Sequence, residues 1–142
     1  MNDLYNTDFY AWTQEQSEYI KNHAWAYLDD INLIEELESL GNKERQKLKS
    51  RLRILLAHLL KWQYQPQKRS NSWMATIREQ REEIEELLDR NPSLKPFLET
   101  ALIEAYPKGR HLAVQETNLP YEVFPDVCPY LSNQVMSQNF WS

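Results

Sequence analysis

Glu35 and Glu38 stand three residues apart, so a helix carries both carboxylates on one face. With His58 on a neighbouring helix they could hold a divalent metal or share a proton. The spacing argues against both uses. Metal sites inside helix bundles draw on Glu-x-x-His, which this chain lacks, and His23 and His111 fall at unrelated positions near predicted helix ends. His58 lies one turn after Ile54 and one turn before Trp62, beside an apolar stripe, where a half-buried, hydrogen-bonded structural role is expected. A metal-dependent enzyme using Glu35, Glu38 and His58 is thus the least favoured reading, and no metal, cofactor or catalytic residue is assigned. Nothing in the pattern sets a nucleophile beside a base, and Cys128, between Val127 and Pro129, reads as a small apolar filler.

A second set is Gln80 and Arg81. The stripe Ile77, Ile84, Leu87 turns position 80 or 81 inward, and a buried amide or guanidinium must find partners. Glu35 or Glu38 is the expected partner of Arg81, an ion pair that would fix helix register and would equally suit an anion pocket.

The third set is basic and aromatic. Lys43 to Arg69 carries nine of the sixteen Lys and Arg residues against Glu44 alone, a net +8 in a chain whose total is −5. Cations interleaved with Trp62, Tyr64 and Trp73 are the composition that grips a nucleic-acid backbone and stacks bases. The carboxylates at 35, 36 and 38 and at 79, 82, 83, 85 and 86 can instead neutralise those cations within the molecule, the reading an acidic chain favours. Nucleic acid is therefore the alternative. The leading expectation is a non-enzymatic module that offers Trp62, Tyr64, Arg69 and Trp73, at a helix end and linker, to a protein partner.

These residues must be positioned by helices. Asp8 or Thr7 caps a first helix to about Lys21, and a second from Asp30 turns Leu33, Ile34, Leu37 and Leu40 inward and stops at Gly41. A third, about Lys43 to Tyr64, repeats Leu48, Leu52, Leu55, Leu59 and Trp62 at alternating steps of four and three, the seam of a central helix. Ser70 or Ser72 launches a fourth to Arg90, and Ser93 a fifth that Pro107 should kink or split. A short helix at Ser132 to Ser137 closes the pattern. Aromatic residues crowd the two ends and should fold back as flaps. The expected architecture is all-α: one domain over residues 1–142, about five helices around a long central one.

Composition narrows the classes further. Gly41 and Gly109 are the only glycines, too few for a phosphate-cradling loop. No apolar run is long enough to span a bilayer, MNDLYNTDFY shows no secretory signal, and one cysteine makes no disulfide framework, so the cytoplasm is the expected compartment. A homodimer is a reasonable default, since the aromatic flaps could cover a second copy.

The ordered segments LYNTDFYAW (4–12), LIEELESLG (33–41), HLLKWQYQPQKRSNSWMATIREQREEIEELL (58–88), PSLKPFL (92–98), Glu116-Thr117, FPDVCPY (124–130) and the closing NFW resemble the bacterial domain-of-unknown-function family 29. The resemblance covers nearly the whole chain and departs from the family's pattern at Ser142, where a proline would be expected. It implies an all-helical intracellular bacterial protein and brings no activity or site residue with it.

Overall fold

The computed structural model describes residues 3–141, most of them helical and none in a strand. The elements are α1 (Leu4–Thr7), α2 (Phe9–Lys21), α3 (Asp30–Tyr64), α4 (Asn71–Arg90), α5 (Leu98–Thr117) and α6 (Ser132–Met136), with single 3-10 turns between several of them. Asp8 and Ser70 cap as their residue types dictate, accepting from the backbone N–H of Ala11 and of Trp73. Packing divides the chain into two compact units, Met1–Lys43 and Glu44–Ser142, and α3 contributes to each.

Two expected breaks do not occur. Gly41 neither ends a helix nor takes a positive φ, so α3 runs unbroken for 35 residues. A glycine costs a helix only about 1 kcal/mol, and here Glu, Leu, Lys and Arg surround it with no proline to enforce a stop. Pro107 lies inside α5, so of the expected kink or split the split does not occur. It removes one hydrogen bond, while Ala105, Tyr106, Gly109 and Ala113 on the same helix are buried. Gly109 permits that burial, because a Cβ there would meet the Arg53 carbonyl oxygen at 3.0 Å and Leu56 Cβ at 3.1 Å. The fifth helix also begins later than Ser93. Pro92 and Pro96 hold residues 92–97 in a 3-10 turn.

In the second unit the central helix is α3. Leu48, Leu52, Leu55 and Leu59 are fully buried, and Ile77, Ile84, Leu87 and Leu102 close around them. The C-terminal aromatics join this core: Trp141 lies 5.2 Å from Trp62 and Phe124 meets Tyr64 edge-on at 5.6 Å. Their polar ends are satisfied, as where the Tyr130 hydroxyl donates to Gln63 Oε1 (2.8 Å) and the Tyr106 hydroxyl to the Pro125 carbonyl (2.6 Å).

The first unit is built around Trp12, 4% exposed, whose indole N–H donates to Asp29 (3.0 Å). Tyr5 packs on that ring at 4.9 Å, and Gln16 Oε1 accepts from the Asp29 backbone N–H. The amide of Asn32 and the indole of Trp12 donate to the Asp29 carboxylate and hold it below the usual carboxylate range, against the opposing pull of burial.

Candidate functional site

In the first unit α2 and residues 30–43 of α3 frame a groove of about 500 Å³. Phe9, Trp12, Ile20, Leu33, Leu37 and Leu40 line it, with Thr13, Gln16, Ser17, Lys21, Glu36 and Lys43 as the polar remainder. Positions 33, 37 and 40 fall at i, i+4 and i+7, one stripe of a helix. Trp12 is buried and Leu33 half-buried, but the rest of the apolar lining is not: Leu37 is 66% exposed, Leu40 55%, Phe9 47% and Ile20 46%. Ile34, also expected to face inward, is exposed as well. The expectation ended a separate helix at Gly41, whereas α3 continues through that residue.

The same continuity disposes of the proposed meeting of Glu35, Glu38 and His58. All three sit on α3, with at least 20 residues, more than five turns, between the carboxylates and the imidazole. Both glutamates are exposed. His58 takes other partners. Its Nδ1 lies 2.9 Å from the Ile54 carbonyl and its Nε2 3.5 Å from Lys61 Nζ, so Nδ1 carries the proton and Nε2 can accept from the ammonium. Burial pushes the His58 pKa down, and the Lys61 charge adds to that, against the Ile54 carbonyl and Glu116. Among the described residues, no group of three His, Cys, Asp or Glu side chains is placed to hold a metal ion.

Lys61 and Glu116 escaped the sequence reading. The Lys61 side chain is buried, reaches Glu116 at 2.9 Å and lies 4.9 Å from the centre of the Trp73 ring. The signal was available: a lysine between Leu60 and Trp62, on the buried side of a helix, has to find an anion.

Arg81 is fully buried without a carboxylate. Its Nε donates to the Val135 carbonyl (2.7 Å), and one terminal nitrogen donates to the carbonyls of Phe140 (2.7 Å) and Gln134 (3.3 Å). Burial lowers its pKa to about 10, so it stays charged at neutral pH. The expected pairing with Glu35 or Glu38 is replaced by backbone carbonyls of the C-terminal segment, which the guanidinium fork ties to α4. Gln80 is buried beside it, 7% exposed.

The four aromatic and basic residues come together only in part. Trp62 is 9% exposed, covered by Trp141 and by Arg69, whose guanidinium lies 4.8 Å from its ring and whose Nε donates to its carbonyl (2.8 Å). Tyr64 and Trp73 are half-buried and Arg69 is exposed. The chain's own C-terminal segment thus occupies the face of Trp62. Several cations of the basic stretch are engaged within the second unit: Lys49 with Glu104 (2.6 Å), Arg51 with Glu83 (3.6 Å), Lys47 with Glu44 (3.1 Å) and Arg45 over Phe97 (4.6 Å).

Fold and site together define an all-helical protein with one well-buried unit and one that exposes an apolar groove. The family model described as "Domain of unknown function DUF29" matches residues 4–141, and the chain belongs to that family. No curated protein and no solved structure matches it. Among the described residues, no helix is long and apolar enough to cross a membrane.

Proposed function

We propose that the protein is a non-enzymatic interaction module whose first unit receives an amphipathic helix from a cationic protein partner. The observation that carries this reading is the groove, with four apolar lining residues about half exposed or more. An exposed apolar groove rimmed by polar residues is the kind of surface that marks an interaction site, and a trough between two helices is the shape that takes the apolar face of a third. Charge selects the partner's polar face. Residues 1–43 hold nine carboxylates and two lysines, a net −7, and Lys21 is itself paired with Glu18 at 3.6 Å. Such a field attracts a basic helix and opposes the same unit of a second copy. The half-buried thiol of Cys128 suits a reducing compartment such as the cytoplasm.

An 18-residue peptide with leucine and lysine at amphipathic spacing is the probe, and its glutamate-for-lysine counterpart the control. Calorimetric titration of the full chain is expected to give a dissociation constant on the order of 10 µM for the basic peptide, lost in Leu37→Asp, with no binding of the acidic one. Equal binding of both peptides, or none, contradicts the reading. So does a dimer in light scattering that Leu37→Asp converts to monomer, because the groove is then filled by a second copy.

A further inference from the structure

In the second unit a separate cleft of about 680 Å³ opens between α3 and α5. Its two walls follow from helix periodicity. Gln46, Lys49, Ser50 and Arg53 fall at i, i+3, i+4 and i+7 on α3, and Glu104, Lys108, His111 and Gln115 at i, i+4, i+7 and i+11 on α5. The floor is apolar and tight, with Ala105 and Leu112 lining the cleft and Gly109 letting the two backbones approach. Lys49, Arg53 and Lys108 give the lining three cations against one carboxylate, Glu104, which Lys49 already holds at 2.6 Å. Arg53 and Lys108 have no carboxylate partner among the described residues.

His111 completes the donor set. Its Nδ1 meets the Tyr121 hydroxyl and its ring stacks on Tyr121 at 5.9 Å. In the tautomer in which that hydroxyl donates to Nδ1, the proton sits on Nε2 and makes it a further donor. Arg110, next in sequence, is committed elsewhere, to the Tyr121 carbonyl (2.7 Å) and Asp126 (3.1 Å).

The geometry points to this cleft as a binding site for a small phosphate ester, with Arg53, Lys108 and His111 on the phosphate and the Ala105–Leu112 floor against the organic part. A guanidinium fork and an ammonium on facing helices suit a tetrahedral dianion, and the volume falls within the range of small-molecule sites. A concave cleft between two helices favours a compact ligand over a polymer, which would instead follow the exposed run Lys43, Arg45, Lys47.

The test is calorimetry on the full chain with pyrophosphate as probe, in about 50 mM salt, beside Arg53→Gln and Lys108→Gln. Lys108 is exposed, so its variant folds, and unchanged circular dichroism checks both. Pyrophosphate is expected to bind with a dissociation constant below about 1 mM and to weaken roughly tenfold or more in each variant, the loss of one charge-assisted contact. Absence of binding, or equal binding by the variants, overturns the proposal. So does a 12-nucleotide single strand that binds tightly and depends on Lys43 and Lys47 but not on Lys108, because the cations then serve a polymer along the helix. Since Leu37→Asp leaves this cleft intact, loss of peptide binding and loss of pyrophosphate binding report on different sites.

Discussion

Two stretches of α3 carry leucines at helical spacing and meet opposite fates. Leu48, Leu52, Leu55 and Leu59 are fully buried in the second unit, whereas Leu37 and Leu40 in the first are more than half exposed. Local sequence does not explain the contrast, since both stretches are amphipathic and rich in helix formers. What differs is supply: α4, α5 and the C-terminal aromatics surround the later leucines, while only short helices accompany the earlier ones. At 43 residues the first unit sits near the size, roughly 40 residues, below which a chain usually needs a staple or a partner. Its exposed apolar stripe is the feature on which the proposed docking role rests.

The comparison can be broken most forcefully at Arg81. Arg81→Ala strands three carbonyls and opens a hole in the second unit, and denaturant unfolding should show a loss of about 3–5 kcal/mol. A loss below about 1 kcal/mol would mean that the C-terminal segment holds without its anchor. Next come matched truncations. Leu52→Ala should cost about 2–5 kcal/mol and Leu37→Ala less than about 0.5 kcal/mol in the same assay, and similar costs would erase the distinction between the units.

A smaller effect should follow pH. The folded pKa of His58 lies below its ordinary value of 6.5, so the unfolded chain binds the extra proton more readily. Stability from this group is full above about 6.5 and falls as pH drops from there toward the lowered folded value. His58→Gln should flatten that part of the stability profile. A wild-type profile that is already flat there would contradict the buried neutral imidazole.

Much of the second unit could be read directly. The four-three rhythm from Leu48 to Trp62 and the terminator Asn91-Pro92 each correspond to one local physical cause. Gly41 misled because a helix breaker acts only when its surroundings let it: it could not outweigh two strongly helical flanks, just as Pro107 does not split α5. The candidate site was less legible. Ile34, Leu37 and Leu40 carry the same signal whether a helix from the same chain or from another covers them, and periodicity cannot tell whose helix that is. Arg81 announced its burial but not its partners, since backbone carbonyls leave no trace in residue types. The cleft walls were equally hidden, because the juxtaposition of α3 and α5 at Gly109 is a tertiary fact.

Amide hydrogen exchange under native conditions tests the central claim most directly, by comparing α2 and residues 30–40 with residues 48–62 of the same long helix. An incompletely buried first unit should exchange through local opening, with protection on the order of a hundredfold below that of residues 48–62, and the basic amphipathic peptide should raise protection there while leaving the later stretch unchanged. If both stretches exchange together, only through global unfolding, the first unit needs no partner and the account fails.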